Sequence, residues 1–494
     1  MMKLDFTNFA DPTLDESFVE YLISEEAPDR GLHFARLWAY YKNDLTPLGV
    51  GLPEAERSAD WLASARPYYQ AQEFGLPARI SGRSHLGYGG AGVPQPAFSR
   101  KEVVIENDIG WRIDTGVHFL AGKPVAFESL AGRPEGARAI EAALAAVWQA
   151  SGGQSLLEEL ALLGAIYGFV DLAIRVRLDS GDVAEARTGG GGGGRPGDPA
   201  LRAGRTVSLE AIEPPRILPI LDEQDYRRLR YWVQVFRRQA NRLTGGPVAA
   251  GRRGDLGRGG RRVDEAEVVE ILGPSWWQRY EDGRLADEGP NPLGRIPVVH
   301  IQNFANPMHY EGASEVEPLI PLQDELNTRL SDRANRVTFQ SFKMYLGKGI
   351  DGFEDRPVAP GRMWATDNPD ASIEVFGGDA ACPSEDAHIE QLREALDKTS
   401  GVTPLAAGLL RDQLGNLTSA TALKVVLMGT LARVERKRVT YGAGLVEANR
   451  LVLDALDRFG VLRTDPADRA IRVLWPDPLP VNLDESAAAQ PSTT

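Results

Sequence analysis

The most explicit chemical pattern in the sequence is a glycine spacing. Gly87, Gly89 and Gly92 in LGYGGAGVPQP match G-x-G-x-x-G, with which a strand-to-helix turn cradles a dinucleotide pyrophosphate. That chemistry needs a helix N-terminus directly after the glycines, and Pro94 and Pro96 follow instead, so the match is rejected. The polyglycine run inside 188–197 fits the same pattern only trivially. No G-x-x-x-x-G-K-[ST] phosphate loop, G-x-S-x-G nucleophile elbow or H-E-x-x-H pair occurs. His33, His85, His118, His300, His309 and His388 are scattered, and the nearest pair, His300 and His309, lacks the one-face helical or hairpin spacing of metal ligands. Cys382 is the single cysteine, which excludes an internal disulfide. With no His or Asn placed to activate it, it reads as a small residue ahead of a helix. Carboxylates are abundant, but spacing singles out no acid and base, so they read as a solvated acidic surface. No catalytic, cofactor-binding or metal-ligating residue is expected.

The elements that would position any site divide the chain into two halves. At 494 residues it exceeds what one core usually organises, so several domains are expected. The first fifty residues look helical, with Leu14, Phe18, Leu22, Phe34, Leu37, Trp38 and Tyr41 at spacings of three and four. Gly and Pro are too frequent in 76–98 for a regular element, and a strand-rich patch is expected over 101–127. Helices at 136–149 and 155–167 precede strands near 170–178, 205–212, 231–237, 267–272 and 276–280. Asp282-Gly283 then makes a hairpin turn before a strand at 298–301. This half is α+β.

Three long helices follow, at 314–339, 384–400 and 419–459, and a small insert with short strands in KMYLG, GRMWAT and ASIEVF separates the first two. Ser314 and Glu317 have capping-box spacing, Gly401 ends the second helix, and Gly442 and Gly444 are expected to kink the third. Apolar stripes include Leu326, Leu330 and Val337 on the first helix and Leu392 and Leu396 on the second.

Charge and hydropathy exclude further classes. The formal net charge of −14 repels phosphate, unlike that of a basic DNA-binding domain. The locally basic segments 252–262 and 433–438 read as a solvated loop and a solvated helix face. The first ten residues carry no signal-peptide pattern. The most apolar stretch, 156–174, is interrupted by Glu158, Glu159 and Asp171 and reads as buried core rather than a membrane span.

The order of several motifs resembles the portal proteins, or head-to-tail connectors, of tailed bacteriophages. ARLWAYYKN, WRIDTGVHFLAGKPVAF, NPLGRIPVVHIQN leading into GASEVEPLIPLQDELN, PGRMWATDNPDASIEVF and GNLTSATALKVVL are each similar to portal patterns, and together they span about residues 30–480. The resemblance implies a portal-like fold with an α+β wing, long stem helices, a small strand-rich clip and a helical crown. It places N-terminal helices and wing at 1–313, the first stem helix at 314–339 and the clip at 340–382. The second stem helix falls at 383–400, a tunnel loop at 401–417, and a long wing/crown helix with the C-terminal segment at 418–494. It implies a dodecameric ring at one capsid vertex of the virion, assembled in the host cytoplasm. Through that ring, terminase packages double-stranded DNA, and the DNA is later ejected. Capsid or scaffold proteins and an adaptor or head-completion protein would be the other partners, with no membrane and no cofactor. Arg411, Gln413 and Asn416 would face the channel, and Leu326, Leu330, Val337, Leu392 and Leu396 would pack the stem. Past VLWPDPLPVN the sequence carries only LDESAAAQPSTT, so crown size stays open. An acidic chain suits a conduit, because phosphate neutralisation is what creates DNA affinity. Two rivals are an α+β enzyme with a helical lid, which calls for a polar pocket in a monomer or dimer, and another ring or capsid component.

Overall fold

The computed structural model describes residues 14, 16–47, 68–81, 102–176, 199–239, 265–341, 344–348, 369–376, 382–408 and 424–479. The Gly87 motif, the glycine-rich loops at 188–197 and 252–260, the GRMWAT strand and residues 409–417 lie outside them. The fold is mixed α+β with antiparallel sheets, in two units.

The first unit comprises Met1–Tyr41, Trp111–Glu317 and Gly401–Thr494. Its largest sheet is a five-stranded antiparallel meander of Ile217–Leu221, Leu229–Gln239, Glu265–Leu272, Trp276–Glu281 and Arg284–Pro290, each strand paired with the next. Alternation sends Leu218, Ile220, Tyr231, Val233, Val269, Ile271 and Tyr280 to one face. Val19 and Leu22 of the N-terminal helical segment cover that face, whereas Phe18 is exposed. Asp282 and Gly283 both adopt positive φ, 48° and 81°, as a primed turn between Trp276–Glu281 and Arg284–Pro290 requires.

A second sheet places Phe169–Val176 between Val298–Gln302 and Val207–Ile212. Its central strand is buried along most of its length, which explains its nearly continuous apolar run, and the helix Gln154–Tyr167, buried over its last turns, feeds into it. The two are joined at Gly168, whose φ of +93° favours glycine. A Cβ there would stand 2.4 Å from the carbonyl oxygen of Gly312, and a Cβ on Gly312 would stand 2.3 Å from that of Gly168. The longest helix, Met428–Arg458, runs unbroken through Gly442 and Gly444, contrary to the expected kink. Gly444 serves close packing instead, since a Cβ would lie 2.5 Å from the Ile301 side chain. This helix begins later than expected: 424–426 form a separate turn ahead of Leu427.

The 101–127 stretch departs from the expected strands. Asp108–Ala121 is α-helical, with Ile109, Ile113 and Leu120 buried at helical spacing, and only Ala126–Ser129 is a strand. The Val and Ile content of the stretch suggested strand, but its burial follows the helical period. Likewise residues 205–206 end the helix Pro199–Thr206, and the strand starts at Val207.

The second unit, Lys42–Gly110 and Pro318–Ser400, is built on the helices Ile320–Ser341 and Pro383–Ser400, which pack on each other. Between them lies an antiparallel pair, Met344–Lys348 with Ser372–Phe376. The first helix starts six residues after the expected 314. A 3₁₀ turn, Glu317–Leu319, precedes it, because Pro318 and Pro321 fit only where no intrahelical N–H is needed. Of the expected capping box the serine half is seen, as Ser314 Oγ accepts from the amides of Val316 at 3.1 Å and Glu317 at 3.3 Å ahead of the 3₁₀ turn.

Candidate functional site

The strand Val298–Gln302 is followed by a polar connection that must turn the chain toward its first long helix, and the first unit holds that connection at many points. The amide of Asn303 donates to Gly168 O at 2.8 Å, that of Glu315 to Ala165 O at 2.9 Å, and Ser314 Oγ donates to Ile166 O at 2.5 Å. His300 sits between Asp171, 2.7 Å from Nδ1, and the carbonyl of Tyr310, 2.8 Å from Nε2, and its ring stacks on Tyr310 with centroids 3.8 Å apart. The other Asp171 oxygen accepts from Trp232 Nε1 at 2.7 Å, so this fully buried carboxylate joins the two sheets.

Beside it lies a buried charge cluster. Glu315 pairs with Lys437, accepts from Asn303 Nδ2 at 3.0 Å, and has Arg433 at 3.6 Å. Burial alone would push the Glu315 carboxyl upward, but Lys437, Arg433 and Asn303 together hold it below its ordinary value. The phenol of Tyr441 is pushed up, first by burial and then by the Glu315 charge. A Cβ on Gly164 would meet its hydroxyl at 1.9 Å, so a larger residue there would displace the Tyr441 ring. Arg433, Arg436 and Lys437 all approach the ring of Phe304, at 4.9, 5.2 and 5.4 Å. The 433–438 segment is therefore solvated only in part: Glu435 and Arg436 are exposed, whereas Lys437 is 2% exposed. Its R-x-x-x-K spacing turns Arg433 and Lys437 inward together.

In the second unit, Leu326, Leu392 and Leu396 are buried, Leu330 is half-buried, and Val337 is 41% exposed. Arg336 pairs with Glu385, and Arg333 lies 3.3 Å from Asp386, tying the two long helices together. Arg411, Gln413 and Asn416 lie outside the described residues.

What sequence reasoning missed is polar. Gln323, Asn327, Ser331 and Asn335, spaced by four on Ile320–Ser341, are buried, and their side-chain oxygens accept from the amides of Asp108, Glu106, Val104 and Glu102 at 3.0–3.1 Å. Gln323 and Asn335 also donate to the carbonyls of Glu106 and Glu102. Four helical residues advance about 6 Å and two extended ones about 6.6 Å, so the two periods match over several rungs. The helix thus replaces a missing β-partner for the segment 102–108. The Q-x₃-N-x₃-S-x₃-N spacing was the available signal.

Among the described residues no three His, Cys, Asp or Glu side chains gather as metal ligands, and no helix is long and apolar enough to cross a membrane. These sites hold backbone and charge in place.

Residues 113–490 match the family model described as phage portal protein, SPP1 Gp6-like. The match covers well over half of the chain, and the protein belongs to that family, with the role of a portal or connector in a phage particle. No curated protein matches the chain. It is similar to a chain in a solved structure, the neck of an empty GTA particle computed with C6 symmetry, at 13% identity and a TM-score of 0.37, covering 73% of this chain and 78% of that one.

Proposed function

We propose that the chain forms a homo-oligomeric ring, a dodecamer, at one capsid vertex of the virion, around a channel through which terminase drives double-stranded DNA. On this reading residues 1–313 supply the wing, 314–339 and 383–400 the stem, 340–382 the clip, 401–417 the tunnel loop, and 418–494 the crown side. Capsid or scaffold proteins and an adaptor or head-completion protein contact its outside, and assembly takes place in the host cytoplasm. The observation that carries the reading is family membership over 113–490, joined to the order of parts: a sheet, a braced connection, and two long helices around a small antiparallel strand pair. Mechanically, the connection after Gln302 is pinned by backbone bonds and a buried ion pair, which suits a subunit that bears the load of moving DNA. Neither enzyme chemistry nor a cofactor enters the reading.

Imaging of the purified protein tests it. The expected particle is a ring with a central hole and the mass of a dodecamer of the 53.8 kDa chain. A monomer or dimer at all concentrations overturns the ring.

A further inference from the structure

In the first unit, near the end of helix Met428–Arg458, a pocket of about 290 Å³ opens to solvent and is lined by Arg295, Arg450, Arg458 and Arg469 with Asp454. Four guanidiniums around one space are unusual on a chain of net charge −14, and carboxylates nearby only partly use them. Arg469 is the saturated member. It donates to Asp454 at 2.6 Å, Asp457 at 2.7 Å and the Thr464 carbonyl at 2.9 Å, and it is 10% exposed, so its role is to hold the wall.

The other three keep donors in hand. Arg295 bonds Glu447 at 3.0 Å, but its second nitrogen stands 3.7 Å from Asp454 Oδ2, beyond hydrogen-bond reach. Arg458 donates one nitrogen to Pro292 O at 2.7 Å, while its Nε is 3.5 Å from that same Asp454 oxygen. Arg450 is 60% exposed, and among the described residues its polar contact is with Glu447, at 3.7 Å. Counting Asp454, Asp457 and Glu447 against the four arginines leaves one net positive charge. Three planar, permanently charged donor sets converge on a space large enough for a tetrahedral oxyanion.

We infer that this pocket is a phosphate-binding site, taking a phosphate group either as the free ion or as part of a nucleic-acid backbone. Arg450, Arg458 and Arg295 supply the hydrogen bonds, and Arg469 with Asp454 fixes their geometry. The inference does not depend on which residues line the channel.

The test is calorimetric titration of inorganic phosphate into the full-length protein at constant ionic strength, repeated with Arg450→Ala and, as a charge-matched control elsewhere on the surface, Arg472→Ala. Arg472 is likewise 60% exposed, so neither variant removes core packing. The site predicts saturable binding of one phosphate per chain, weakened about tenfold or more by Arg450→Ala and unchanged by Arg472→Ala, the equivalent of one charge-assisted hydrogen bond. A duplex oligonucleotide that competes with phosphate in wild type but not in Arg450→Ala identifies the backbone as the source, and absence of competition identifies the free ion. No saturable binding at millimolar phosphate, or equal loss in both variants, overturns the inference.

Discussion

Lys437 and Glu315 meet where water has little access, and each is costly to lose alone. Lys437→Met strands the carboxylate with only Arg433 at 3.6 Å and Asn303 for company, and should destabilise the chain by about 3 kcal/mol in denaturant unfolding. Adding Glu315→Gln should return part of that loss, because a neutral amide tolerates burial better than an unpaired charge. A loss below about 1 kcal/mol in the single variant would show that the pair is not buried in solution. The pH dependence has a definite sign. The Glu315 carboxyl is held below its ordinary 4.5, so its contribution is complete above that pH and fades as pH falls through the lower folded value. Stability measured between about pH 5 and 3 should therefore decline less steeply in Glu315→Gln than in wild type. Equal slopes would contradict the assignment.

The four-rung ladder on Ile320–Ser341 makes a prediction that belongs to the element. Amides of Glu102, Val104, Glu106 and Asp108 should exchange slowly with deuterium. Asn327→Ala should release Glu106 most strongly and cost about 1–3 kcal/mol, the price of an orphaned buried donor. Fast exchange at all four amides in wild type would dismiss the ladder. The same helix shows what the sequence made legible. Leu326, Leu392 and Leu396 were found as buried positions because apolar residues at helical spacing advertise burial directly. Gln323, Asn327, Ser331 and Asn335 were passed over because a polar residue advertises burial only through a partner, and theirs lie more than two hundred positions away. The sheets were legible as alternation, and Asp282-Gly283 as a turn, since both are local. Asp108–Ala121 was misread because Val and Ile favour strands, whereas its environment selects a helix. The hand-over near Gln302 was visible as a change of pattern, but not Asp171, His300 and Trp232, which three separate strands bring together.

At the scale of the whole molecule, the proposed assembly and the proposed DNA passage are tested by different variants. Leu330 is half-buried within its own chain, so Leu330→Asp should reduce ring formation, read by particle mass, more than it lowers helicity. Normal rings of unchanged thermal stability would remove 314–339 from the stem. Arg411→Glu with Gln413→Glu should leave rings intact yet lower the DNA packaged per head, because added negative charge repels phosphate. Wild-type packaging would sink the tunnel-loop role while leaving the ring standing.

The matched spacing of the ladder also acts as a gear. Sliding the helix Ile320–Ser341 by a single residue turns it by about 100° and disengages all four teeth together. A slip of four residues in one direction re-engages three of them but brings Leu319, which cannot hydrogen-bond, to the end tooth. Any screw motion of this helix against the segment 102–108 must first strip the gear.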